Sequence, residues 1–161
     1  MMKQAAQILG GVILALAALA ALFVISMRMK YPPVLTAIRR FNRAVTNPQA
    51  MKTAGQPGAS ASTIQHVGRT SGASYETPID AVPADGGFVI PLPYGTTSDW
   101  LKNVLAAGSA VIISEGVTYQ VDHPELIPSE TAFPYVPAGE QRALRAFAVD
   151  QFLRVRSTHA G

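Results

Sequence analysis

Apolar and polar positions fall into three regimes along the chain. From Gln4 to Met27 there is no charged residue, and from Ile8 to Ile25 nearly every position is apolar. A helix over this stretch reaches roughly 35 Å, enough to cross a bilayer core of about 30 Å. From Val34 to Val45 the pattern changes. Val34, Leu35, Ile38, Phe41 and Val45 recur at spacings near three and four, with Arg39, Arg40 and Arg43 between them. This predicts an amphipathic helix with a basic face, either lying along a membrane surface or an ordinary surface helix with that face in solvent. Asn47-Pro48 is expected to break or kink it, and Gly55–Ser60 reads as a loop.

The third regime is short and β-like. Ser62–Val67 reads as a strand, Gly68–Ser74 as a turn, and Tyr75–Val82 as one alternating strand. Ala84-Asp85-Gly86-Gly87 is a hairpin turn leading into Phe88–Leu92. Thr96–Ala107 has helical spacing, with Thr97 or Ser98 to cap it and Gly108 to end it. Ala110–Ser114 and Val117–Asp122 flank Glu115-Gly116 as a strand pair. A helix from about Ala138 to Val149 and a short tail, Phe152–Arg156, complete the pattern. The expected fold is α+β, mainly β: a split antiparallel β-barrel with packed helices, preceded by one transmembrane helix. The expected organisation is an anchor with a basic flank over 1–30, an amphipathic helix and linker over 31–60, and the barrel domain over 61–161.

Charge sharpens this picture. Residues 1–75 carry eight Lys/Arg and no Asp or Glu, whereas residues 76–161 carry five Lys/Arg and ten Asp/Glu. Arg28 and Lys30 follow the apolar run directly, as in a stop-transfer flank and unlike a cleaved signal sequence. Lys3 stands alone on the other side of that run. The positive-inside rule then predicts a single-pass protein of the cell membrane with its globular part on the cytoplasmic side. The Ala-rich face of the span is compatible with a homodimer. Nucleic acid is not an expected partner, because the part from Tyr31 onward has ten Lys/Arg and ten Asp/Glu and no basic–aromatic interleaving. The chain contains no cysteine, and His66, His123 and His159 lack any metal-ligand spacing, so no metal site is expected.

Three segments carry a family resemblance: Phe41–Pro57 (FNRAVTNPQAMKTAGQP), His66–Ile79 (HVGRTSGASYETPI) and Tyr94–Gly108 (YGTTSDWLKNVLAAG). In order and spacing they resemble the deazaflavin-dependent nitroreductases, over about residues 38–156. The resemblance implies a barrel that binds coenzyme F420, with FMN as the less expected cofactor, and reduces quinones or nitro-compounds. A lipophilic acceptor such as menaquinone suits a chain with a lipid-bilayer anchor. The alternative is a non-catalytic module that binds flavin, haem or lipid, or serves as a membrane accessory subunit.

The loop Gly68-Arg69-Thr70-Ser71-Gly72 combines backbone amides, two hydroxyls and a guanidinium, a set suited to phosphate or carboxylate. It is the only basic part of the expected site. Pro78 and Ile79 fall beside the deazaflavin ring in the resemblance, and Pro93, Tyr94 and Gly95 form the strand-to-helix part of the groove. Trp100 and Asn103 share a face of the following helix, Trp100 as core or ligand contact, Asn103 toward backbone or coenzyme. Tyr94, Tyr119 and Tyr135 are the candidate proton donors, with Tyr135 on a proline-flanked lip. His66, at a strand end, reads as a satisfied core or surface histidine.

Overall fold

A computed structural model describes residues 2–160 of the chain. The apolar run is one helix, α1 (Met2–Arg28). Its segment Gln7–Arg28, 22 residues, is long and apolar enough to cross a membrane, with a mean hydropathy of 2.9 over its most apolar 18 residues.

Pro32 and Pro33 occupy the first turn of α2 (Pro32–Phe41), where a missing N–H costs nothing. Of the two outcomes expected at Asn47-Pro48, a break or a kink, the break does not occur. Instead the helix widens into a π-helical turn, Asn42–Thr46, and continues as α3 (Asn47–Ala50). Proline has no N–H for the carbonyl four residues back and its ring crowds that carbonyl. Widening the turn, so that the Asn47 N–H bonds Asn42 O, carries the helix past it.

Seven strands follow: β1 (Ser62–Val67), β2 (Ser74–Ile79), β3 (Val82–Ala84), β4 (Gly87–Pro91), β5 (Ser109–Ser114), β6 (Val117–Pro128) and β7 (Gln151–Ala160). Between them lie α4 (Asp99–Ala107), α5 (Ser129–Ala132), a 3₁₀ turn (Phe133–Tyr135) and α6 (Ala138–Ala146). The strands form one antiparallel sheet in the order β2-β1-β5-β6-β7-β4-β3. Strands β2 and β3 lie at its opposite edges yet are joined by only Asp80 and Ala81, so the sheet must curl until those edges meet. The result is a half-barrel. Register shifts in β6 at Gln120/Val121 and Asp122/Glu125, with His123 at φ 49, bend the longest strand around it.

Three strand expectations are corrected here. Tyr75–Val82 is not one strand, because its two halves serve opposite edges. The tail is a ten-residue strand paired on both sides, with β6 and β4. Strand β6 continues through Pro128, six residues past Asp122, because β7 offers it a partner that long.

Inside the curl, Ile64, Ile90, Ile112, Val121, Leu153 and Val155 pack on Leu101 and Val104 of α4. Outside it, Val89, Ile127 and Phe152 pack against Ala132, Phe133 and Val136. Strands β4 and β7 bury both faces, which explains the unbroken apolar run Phe88-Val89-Ile90. The Gly55–Ser60 loop packs on the β5–β6 turn, where the Gly116 N–H donates to Gly55 O at 2.6 Å and the Gly58 N–H to the Glu115 carboxylate at 2.7 Å.

Candidate functional site

The site is built where the Gly68–Gly72 loop, the N-terminal end of α4 and the inner face of α2 meet. Gly68 is buried, and a Cβ there would collide with Ser71 Oγ and the Tyr75 ring. The loop amides of Gly68, Arg69, Gly72 and Ala73 bond within the protein. Those of Thr70 and Ser71 make no protein hydrogen bond among the described residues, and both residues are exposed. Ser71 Oγ shares a hydrogen bond with Tyr75 Oη at 3.1 Å.

Arg69 is oriented by α4. Its backbone N–H and its Nη1 both donate to Asn103 Oδ1, at 3.2 and 2.8 Å, and its Nη2 meets Asp99 Oδ1 at 3.2 Å. Asn103 is itself buried, and its amide nitrogen faces His66 Nδ1 at 3.2 Å. His66 Nε2 then meets Thr77 Oγ1 at 3.2 Å, and its ring stacks on Tyr75 at a centroid distance of 5.8 Å. Since Asn103 uses its oxygen on Arg69, its nitrogen must donate to His66. The ring is therefore a neutral imidazole with its proton on Nε2. Burial agrees, pulling the His66 pKa below its ordinary value. His66 is thus the satisfied core histidine expected from the sequence, and it also braces the group that aims Arg69.

Two further arginines reach the same place. Arg39 Nη2 donates to Tyr94 O and to Thr97 Oγ1, both at 2.6 Å, while its buried Nε has no partner. Arg43 lies 3.5 Å from the other carboxylate oxygen of Asp99. The expected basic face of α2 is therefore divided. Arg39 and Arg43, four apart and on one side, turn toward α4, and Arg40 remains exposed. The sequence pointed to Arg69 as the one basic group of the site; the fold makes it three, balanced by Asp99. Hydrogen bonding from Arg69 holds the Asp99 carboxyl below the usual range against the opposing effect of burial, with lesser help from the charges of Arg69, Arg43 and Lys102.

The three candidate proton donors are held apart. Tyr94 Oη accepts from Asn42 Nδ2 at 2.9 Å, which leaves its own proton free for another acceptor. Tyr119 packs edge-on to Phe88 at 5.0 Å against the inner core. Tyr135, at the outer layer, donates to the Asp85 carboxylate at 2.9 Å, and that hydrogen bond and charge push its pKa up. Of the other expected residues, Ile79 is buried in the core and Trp100 is half-buried against it. Pro78 lies in edge strand β2, and Pro93 and Gly95 lie in a turn closed by Gly95 N–H to Leu92 O at 2.9 Å.

A separate cleft of about 380 Å³ opens where β1 and β5 part beyond the Gln65–Val111 pair. His66, Tyr75, Glu76, Ala107 and Gln120 are among its walls. None of Arg39, Arg43 and Arg69 lines it, so His66 and Tyr75 are the link between cleft and loop. Among the described residues no cluster of His, Asp and Glu is arranged to hold a metal.

No family model matches this chain, and no curated protein matches it. Among solved structures, it is similar to Atu2129, a protein of unknown function from Agrobacterium tumefaciens str. C58, at 12% identity and a TM-score of 0.47. That match covers 63% of this chain and 50% of the other, so this chain spans about half its length. A second solved chain, also at 12% identity and a TM-score of 0.47, is matched over 71% of this chain and 80% of its own.

Proposed function

We propose that this chain is a membrane-anchored oxidoreductase that holds a polyanionic coenzyme of the deazaflavin F420 type and delivers its reducing equivalents to a lipophilic acceptor, a quinone or nitro-compound. The observation that carries this reading is the convergence of Arg39, Arg43 and Arg69 on the start of α4 beside Tyr94, with one carboxylate among them. The residues present fit such a group. A phosphate or carboxylate finds the Arg69 guanidinium, the Thr70 and Ser71 amides that no protein group uses, and a surplus of positive charge. FMN, with one phosphate, uses this set less fully.

When bound, the reduced coenzyme supplies a hydride, two electrons and one proton nucleus, and is oxidised as the acceptor is reduced. The chain supplies the rest. Arg69, fixed by Asn103, and Arg39, fixed by the Tyr94 carbonyl and the Thr97 hydroxyl, would hold the anionic end. Tyr94 Oη would keep its proton available for the single protonation that completes the acceptor's reduction after hydride transfer, and solvent would restore it. The apolar α1 keeps the domain near acceptors dissolved in the bilayer. This reading places α1 across the cell membrane with the domain on the cytoplasmic side, where Arg28 and Lys30 lie.

A second reading, a non-catalytic module or accessory subunit, is favoured by one observation: Arg69 is already paired with Asp99. The reductase assay separates the two. The full chain in lipid vesicles is incubated without oxygen with reduced F420 and a menaquinone analogue, and recovery of the oxidised coenzyme's absorbance is followed. Turnover that depends on the protein supports the reductase. Coenzyme binding without turnover supports the carrier.

A further inference from the structure

We infer that α2 and the end of α6 seat the domain directly on the bilayer surface, so that it lies against the leaflet instead of swinging from a flexible tether. The inference rests on the proposed membrane crossing of α1 and adds the face by which the domain meets lipid. The first observation is a rigid joint. Arg28, at the end of α1, donates from Nη1 to the carbonyls of Arg145 and Ala146 at 3.2 and 3.1 Å, capping the C-terminal end of α6. Lys30 lies 3.8 Å from Asp150, Met27 is buried, and the Phe23 ring meets Phe147 edge-on at 6.2 Å. If Arg28 marks the headgroup level, Phe23 lies about 7.5 Å deeper along the helix. Phe147, in contact with it, is then drawn to the edge of the apolar layer.

The second observation is a bare apolar stripe on the next helix. Val34, Ile38, Phe41 and Val45 follow at spacings of four, three and four and share one side of α2 and its π-helical continuation. Leu35, Arg39 and Arg43 hold the other side to the domain. Phe41 is 59% and Val45 47% exposed, with no protein layer over them, and Met29 and Tyr31 before them are also exposed. Residues 28–43 contain Arg28, Lys30, Arg39, Arg40 and Arg43 and no acidic residue. An apolar stripe flanked by cations, beginning six residues after the end of the span, fits an anionic leaflet. Because Arg39 on the inner side binds the Tyr94–Thr97 loop, the candidate site then lies one helix thickness from the lipid.

The chain has no cysteine, so single labels can be placed without background. Nitroxide is attached at Phe41→Cys, Val45→Cys, Leu16→Cys and Val67→Cys in the full chain, in vesicles of phosphatidylcholine and phosphatidylglycerol. All four positions are exposed, so the variants keep the fold. Collisions with oxygen are compared with collisions with a water-soluble nickel chelate. The ratio at positions 41 and 45 is expected several-fold above that at 67 and nearer that at 16. Ratios at 41 and 45 equal to that at 67, with 16 in lipid, would overturn the seating and leave the anchor intact. Position 16 in water removes both. Spin–spin broadening at 41, lost on dilution with unlabelled protein, would assign the stripe to a second copy and also overturn the inference.

Discussion

The side-chain nitrogen of Asn103 donates to Nδ1 of His66 across 3.2 Å, 37 positions apart in the chain, and this contact requires a neutral ring. Its partner oxygen aims Arg69. A protonated His66 would set two donors against each other at this buried point. Because burial lowers the folded pKa of His66 below its unfolded value near 6.5, the unfolded chain takes up the proton first as the pH falls. The stability His66 contributes is complete above that unfolded value and is lost as the pH drops from there to the folded pKa. Thermal unfolding followed at intervals from pH 7.5 to pH 5 should show a falling midpoint. His66→Asn should flatten the curve across that window. An unchanged slope in the variant would place the pH dependence elsewhere.

Changing Asn103 separates its two roles. Asn103→Ala removes the acceptor of the Arg69 backbone N–H and Nη1 and leaves the His66 Nδ1 without its donor, and should cost about 2–3 kcal/mol in urea unfolding. Asn103→Asp keeps the acceptor for Arg69 but presents a charge to His66. That variant should raise the His66 pKa, seen as a shifted imidazole titration by nuclear magnetic resonance.

Gly87 should be the least replaceable glycine of the sheet. A Cβ there would run into Val155 O and lie 2.8 Å from Arg156 Cα, both backbone atoms of the paired strand β7. Gly87→Ala should cost roughly 2–3 kcal/mol by forcing β4 and β7 apart. The neighbouring turn residue Gly86, at φ 71 with open space around it, carries only the strain of a left-handed conformation, and Gly86→Ala should cost about 1 kcal/mol. Equal losses for the two would argue against this packing.

What the sequence made legible, and what it hid, follows from range. Strand β1 was readable residue by residue, because Ile64 and its neighbours are bounded by turn formers. The β3–β4 hairpin was announced by Asp85-Gly86. The break at Asp80-Ala81 was not, since the alternation of Tyr75–Val82 is continuous and only closure of the curl assigns its halves to opposite edges. Strand β7 was cut short because Arg154, Arg156, Ser157 and Thr158 look like a polar tail until β6 and β4 pair with them. In the site, the Gly68–Gly72 loop and Tyr94 were visible from local chemistry. The contribution of Arg39 was not, because its bond to Tyr94 spans 55 positions. A usable signal existed: Arg39 and Arg43 share a helix face away from the Phe41 and Val45 stripe.

The arginines should act unequally on the proposed coenzyme. Arg39→Ala and Arg69→Ala each remove a charged hydrogen-bonding group and should weaken coenzyme binding by roughly 10- to 100-fold. Arg40→Ala, at the exposed position next to Arg39, should leave binding within about twofold in detergent. Isothermal titration of the three purified variants checks this order. Equal losses in all three would reduce the effect to general surface charge.

The most direct test of the account is titration of the full, detergent-solubilised chain with oxidised F420, following quenching of its fluorescence, with FMN in parallel. The account predicts a Kd for F420 of about 1 μM or below, at least tenfold tighter than for FMN and lost when Arg39 and Arg69 are both replaced by alanine. Absence of binding to both, or binding that survives the double replacement, would contradict it.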